Sequence, residues 1–155
     1  MYAGHQHVTI LIVDDDPGHC ELVRRNLRRV GISNTIKIVH SAGEALDFVF
    51  GRGADRAQSA AADLLMLLDI NMPGGLNGLD VLREVKSNAA TRRIPVIMLT
   101  TTDDPKEVNL CYELGCSVYI TKPVAPIAFI ESINRLGMFI EVVSLPSAGN
   151  PDPSP

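Results

Sequence analysis

Cysteine, positive charge and long apolar runs are all scarce in this sequence, and each shortage removes a class of function. Cys20, Cys111 and Cys116 are the only cysteines. An odd number without paired ligand spacing makes neither a disulfide framework nor a zinc site, so they read as reduced thiols of a cytosolic protein. Lys and Arg total 14 against 18 Asp and Glu, a formal net charge of -4, which leaves no basic footprint for nucleic acid. Arg24, Arg25, Arg28 and Arg29 do cluster, but at a spacing that gives one helix a solvated face. No apolar run approaches the roughly 18 to 20 residues that span a bilayer, and the N-terminus lacks the charged-then-apolar pattern of a signal peptide. The expectation is a cytoplasmic protein with no membrane partner. What is present is ordinary: 155 residues, 46% hydrophobic and 21% charged, enough for one domain with a sizeable core.

Strands and helices alternate along the chain. Val8 to Val13 (VTILIV) is a β-branched apolar run ending on Asp14, Asp15 and Asp16. Pro17 suits a first helical position capped by Asp16, with Cys20, Val23, Leu27 and Val30 on one face and Gly31 closing the helix. Thr35 to Val39 is a short strand, and Ser41 with Glu44 forms a capping box for the helix carrying Ala45, Leu46 and Val49. Residues 51–63 show no apolar period and read as a long surface loop. Leu64 to Leu68 is a strand buried on both faces, followed by a turn through Asn71, Pro73, Gly74, Gly75 and Gly78. A helix on Leu79, Leu82 and Val85 leads to the strand Pro95 to Thr100. Asp104, Pro105 and Glu107 then start a helix that ends at Gly115. Ser117 to Thr121 is the fifth strand, and Pro126 to Leu136 the last helix.

Five strands alternating with five helices predict an α/β fold: a doubly wound, five-stranded parallel sheet with helices on both faces. The flavodoxin-like strand order 2-1-3-4-5 is the expected one for this element count. In such sheets ligands bind at the carboxyl ends of the strands. That edge would gather Asp14, Asp15 and Asp69, with Thr100 and Lys122 at the ends of the flanking strands. Three carboxylates so close repel one another and call for a hard cation, and Mg²⁺ suits them because it takes oxygen ligands and keeps exchangeable waters. Lys122, the Thr100 hydroxyl and the metal would hold the outer oxygens of a phosphoryl group in transit. Asp69 would be the nucleophile, giving an aspartyl phosphate. Asn71 and Thr102, two residues beyond Asp69 and Thr100, stand where side chains meet an attacking water, so the phosphate lifetime should be tunable there.

With these residues in hand, the chain resembles the receiver domain of two-component response regulators. LIVDDDP (Leu11 to Pro17), LLMLLDINMP (Leu64 to Pro73), MLTT around Thr100 and VYITKPV (Val118 to Val124) carry the resemblance, which covers roughly Val8 to Leu136. It implies metal ligation by Asp15, Asp69 and the Asn71 backbone carbonyl, with Asp14 acting through water. It further implies Thr100 as the switch hydroxyl, Lys122 as the phosphoryl-contacting amine, and Tyr119 as the aromatic that turns inward on activation. The turn from Asp69 to Gly78 is one residue longer than usual, through Gly74 and Gly75. The long 51–63 loop and the tail LGMFIEVVSLP (Leu136 to Pro146) look more like single-domain regulators paired with bacterial phytochrome-type histidine kinases.

The expected layout is a disordered leader over 1–7, a receiver domain over 8–136, a C-terminal extension over 137–145 and a disordered, proline-rich tail over 146–155. Only 33 residues follow Lys122, too few for a DNA-binding or catalytic output domain. A competing class is a Mg²⁺-dependent phosphohydrolase or phosphotransferase working through the same aspartyl phosphate. Such enzymes need a second acid two residues after the nucleophile, where this chain has Asn71. Met138 to Val143 (MFIEVV) is β-prone and apolar, and the sheet already has its five strands. It is expected either to cover the last helix or to extend a symmetric homodimer formed by the fourth helix, fifth strand and fifth helix.

Overall fold

The computed structural model describes residues 8–52, 63–122 and 125–142. The expected leader, most of the 51–63 loop and the proline-rich tail lie outside the described residues. Five strands run β1 (Val8–Val13), β2 (Ile36–Val39), β3 (Asp63–Leu68), β4 (Val96–Thr100) and β5 (Val118–Thr121). They form one parallel sheet in the order β2-β1-β3-β4-β5. Between them stand α1 (Pro17–Arg29), α2 (Ala42–Val49), α3 (Gly78–Ser87) and α4 (Pro105–Leu114), and α5 (Pro126–Val142) closes the order.

The alternation of side chains along each strand sorts the core into two layers. Leu11, Val13, Leu64, Met66, Leu68, Val96 and Met98 face α2, α3 and α4. Ile10, Ile12, Leu65, Leu67, Ile97 and Leu99 face α1 and α5. The three central strands are therefore apolar at every buried position but Thr100, the last residue of β4, whereas the outer strands β2 and β5 are only half-buried.

The helix starts follow their local chemistry. Asp16 caps α1, its carboxylate accepting from the Gly18 and His19 amides, and Pro17 occupies the first turn. Ser41 accepts from the Glu44 amide and caps α2. Asp104 and Pro105 open α4, which ends on Gly115 in the left-handed region at φ 108. A full capping box of Asn77 and Asp80 at α3 was not among the expected caps.

The last helix departs from expectation. It runs to Val142 rather than ending at Leu136, so Met138 to Val142 is helical and not the β-prone tail that its composition indicated. Phe129, Ile133 and Leu136 are buried against α1 and the sheet at helical spacing, and adding turns to a formed helix costs far less than starting one. The β-propensity of Phe, Ile and Val is a fit to a pleated, half-buried surface, not a backbone preference, and α5 offers no such partner. Among the described residues, no helix is long and apolar enough to cross a membrane.

Candidate functional site

The parallel register is what assembles the site. Val13 pairs with Leu68, so the next residues, Asp14 and Asp69, leave the sheet side by side. The Asp14 amide donates to Val39 O at 3.2 Å and the Asp69 amide to Val13 O at 3.0 Å, which prolongs the ladder by one step. Thr100 pairs with Thr121, and the Lys122 amide then donates to Thr100 O at 2.6 Å. Asp14, Asp69, Thr100 and Lys122 are all buried, while Asp15 sits exposed at the rim.

Asp14, Asp15 and Asp69 can each offer one carboxylate oxygen such that all three lie within 4.8 Å of one another. Lys122 Nζ donates to Asp14 Oδ2 at 2.5 Å and to Asp69 Oδ2 at 3.3 Å. One ammonium against three carboxylates leaves a net negative cluster of hard oxygen donors, and this fits a divalent cation. Thr100 Oγ1 is fully buried and has no hydrogen-bond partner among the described residues. The other two such oxygens, on Asn26 and Asn134, belong to helices, so at the sheet edge Thr100 alone offers an unused buried hydroxyl. Its position suits an added oxyanion, because an orphaned buried hydroxyl is costly until something bonds it.

The turn after Asp69 folds back on itself. The Asn71 amide donates to Asp69 Oδ1 at 3.2 Å, and the Gly78 amide to Ile70 O at 3.0 Å. A Cβ on Gly78 would stand 2.1 Å from the Asp69 carbonyl oxygen, so only glycine permits α3 to start this close to the acidic strand end. Gly74 and Gly75 take φ of 98 and 90, left-handed values that this turn reaches through glycine.

Residues flagged two positions beyond Asp69 and Thr100 meet directly. Asn71 Nδ2 donates to Thr102 Oγ1 at 2.9 Å, a bridge between the β3 and β4 loops. Tyr119 packs against the α2–α4 side of the core, and its hydroxyl donates to the Thr102 carbonyl. Burial, with the nearby Cys111 adding to it, pushes the Tyr119 phenol up to about 12, so it stays a neutral donor at physiological pH. Asn71, Thr102 and Tyr119 thus form one chain of bonds from the acidic turn to the outer strand. The arginine cluster takes no part: Arg24 pairs with Glu21, and Arg28 donates to the carbonyls of Ile32 and Asn34.

Three neighbours of the site were not legible as such in the sequence. His40 Nδ1 lies 3.0 Å from the Asp14 carbonyl oxygen, and Cys20 Sγ donates to the same oxygen at 3.4 Å. Burial and the Asp14 charge push the Cys20 thiol up to about 12, which leaves it an inert donor. His19, in the first turn of α1, places Nδ1 3.4 Å from Lys122 Nζ. The available signal was its position, three residues after the Asp16 cap on a helix whose N-terminus opens at the sheet edge.

Comparison with known proteins bears on this geometry. The sequence profile of the response regulator receiver domain matches residues 10–134. The response regulator Rcp1 of Synechocystis is 31% identical over 140 residues, covering 90% of this chain and 93% of Rcp1. Its Mn²⁺-bound crystal structure superposes with a TM-score of 0.82, over 90% of this chain and 99% of that one. A receiver domain from Rhodospirillum rubrum is 43% identical, with a TM-score of 0.83 over 92% of this chain and 99% of its own. The phosphorylated cyanobacterial phytochrome response regulator RcpA is 28% identical, with a TM-score of 0.82 over 91% of this chain and 99% of its own.

Proposed function

From the premise that this chain belongs to the response regulator receiver domain family, we propose that it is a phosphorelay switch that takes a phosphoryl group onto Asp69. One observation carries the assignment to that residue: Asp69 is the buried carboxylate that adjoins both Asp14 and the Lys122 ammonium, with the orphaned Thr100 hydroxyl on the neighbouring strand.

The donor is a phosphohistidine of a sensor histidine kinase. An Asp69 carboxylate oxygen attacks phosphorus, the P–N bond breaks, and its electron pair returns to the kinase imidazole. Asp14, Asp15, Asp69 and the Asn71 carbonyl would hold a divalent cation, with Mg²⁺ the ion suited to this donor set, and it supplies charge neutralisation and oriented coordination. Lys122 leaves its carboxylate partners to meet one phosphoryl oxygen, and Thr100 Oγ1 donates to another. The Asn71–Thr102 bridge links that event to Tyr119 of β5, the route by which occupancy changes the outer surface. Asn71 and Thr102 also set the phosphate lifetime. The chain catalyses its own phosphorylation and dephosphorylation without being an enzyme for another substrate. The phosphohydrolase alternative gains nothing from the structure, since the position it needs acidic is an asparagine bonded to Thr102.

The likeness to the phytochrome response regulator RcpA supports a phytochrome-type kinase as the partner, and the cytoplasm is the proposed site of the exchange. A symmetric homodimer through α4, β5 and α5 fits the exposed Tyr112 on α4 (48%) and Ile127 on α5 (75%), apolar groups that a second copy would cover. Sedimentation at tens of micromolar, with and without a phosphoryl mimic, checks this, and a monomer in both conditions contradicts it. The function itself is tested by incubating the protein with a small phosphodonor and Mg²⁺ and weighing it intact. A gain of one phosphoryl that Asp69→Asn abolishes is the expected result. Steady turnover of phosphate esters would favour the enzyme instead.

A further inference from the structure

Among the described residues Lys122 Nζ donates to Asp14 Oδ2 and Asp69 Oδ2 and lies within hydrogen-bond reach of a third group, His19 Nδ1. A lysine ammonium only donates, so the 3.4 Å contact is a hydrogen bond in the His19 tautomer that carries its proton on Nε2; the same Nδ1 stands 3.6 Å from Asp16 Oδ2 and 3.8 Å from Asp14 Oδ2. The imidazole is braced from its other side by Phe129 of α5, with ring centroids 5.7 Å apart and planes tilted by 50°. Its own backbone amide is tied to the Asp16 cap at 3.3 Å. His19 is therefore held from two directions, although its side chain is 42% exposed at the mouth of the site.

The three groups differ in what the proposed reaction does to them. Both carboxylates are spent when it runs, since Asp14 and Asp69 turn their oxygens to a cation and Asp69 becomes an acyl phosphate. His19 Nδ1, a nitrogen rather than a hard carboxylate oxygen, takes neither role. We infer that His19 is a positioning residue for the phosphoryl transfer: its Nδ1 retains the Lys122 ammonium at the mouth of the site after the carboxylates release it, and so presents Nζ to the incoming phosphoryl oxygen. This rests on the reading of Asp69 as the phosphoacceptor. It also ties the amine to α1 and, through Phe129, to α5, a connection that does not pass through Thr102 or Tyr119.

The test compares His19→Leu, which keeps bulk and loses the acceptor, with His19→Asn, whose Oδ1 falls close to the place of Nδ1. Phosphorylation by phosphoramidate at saturating Mg²⁺ is followed beside Mg²⁺ affinity by calorimetry. His19→Leu should slow phosphorylation by about 3- to 10-fold, the scale of one hydrogen bond to a charged group at a half-exposed site. Its Mg²⁺ affinity should stay within about twofold, because no carboxylate is touched, and His19→Asn should recover most of the rate. A direct reading comes from the imidazole ¹⁵N shifts of the protein before Mg²⁺ is added. Nδ1 should be unprotonated and should shift in Lys122→Met. A wild-type rate in His19→Leu, or equal losses in both His19 variants, overturns the inference. A wild type that takes no phosphoryl group overturns the reading of Asp69 instead, and the nitrogen shift then still decides whether Nδ1 accepts from Lys122.

Discussion

At the scale of single residues, the acids, Thr100 and Lys122 were legible because each stands at the end of a run that reads as a strand, central for the acids and Thr100 and outermost for Lys122. Once the strands are parallel, their carboxyl ends share an edge. His19 was not, since a histidine in a first turn has no periodic or spacing signature, and its role follows from a distance across 103 positions in the chain. Lys122 shows how strongly the cluster is coupled. Removing it in Lys122→Ala leaves Asp14 and Asp69 buried without their cation, and should cost about 3 kcal/mol or more of stability in the metal-free protein. Mg²⁺ should bind the variant more tightly and restore most of that loss, as read from urea unfolding with and without the ion. An equal loss in both conditions would contradict the picture of one cationic position shared by amine and metal. Asn71→Arg breaks the bond to Thr102 and should change the dephosphorylation rate several-fold. An unchanged phosphate lifetime would remove Asn71 from that role.

Elements were read best where a cap and a period agreed. Asp16 with Pro17 and Asp104 with Pro105 placed two helix starts correctly, because each pair combines a side-chain acceptor with a proline that needs no donor. The helix α5 continues past the expected end at Leu136 because the stretch after it has no stop signal other than Gly137, and Gly137 serves packing instead. A Cβ there would stand 2.3 Å from Cγ2 of Val30, so the glycine lets α5 lie close against the C-terminal end of α1. Gly137→Val should therefore lose about 1–3 kcal/mol through overpacking, and Val30→Ala should recover part of it in a double-mutant cycle. Gly43 in α2 offers the opposite case, with nothing within 4 Å of an added Cβ. Gly43→Ala should stabilise by about 0.5–1 kcal/mol, through helix propensity and a less flexible unfolded chain. Denaturant midpoints at unchanged slope check both, and a stabilised Gly137→Val would contradict the close α1–α5 approach.

At the scale of the whole molecule, the described residues form one parallel sheet whose carboxyl edge gathers the three acids, Thr100 and Lys122. Sheet order, layer assignment and the convergence of Asp14, Asp15, Asp69, Thr100 and Lys122 follow from strand count and handedness, so the sequence carried them. The Asn71–Thr102–Tyr119 chain of bonds depends on loop geometry that no local pattern encodes. The proposed function requires Asp69 to be the one group that forms a bond to phosphorus. Its most direct test is to phosphorylate the protein with a small donor and Mg²⁺, reduce the acyl phosphate with borohydride, and map the product by tandem mass spectrometry. Homoserine at position 69 and an intact aspartate at positions 14 and 15 is the expected result; reduction at Asp14 or Asp15, or phosphate recovered on a histidine, would contradict it.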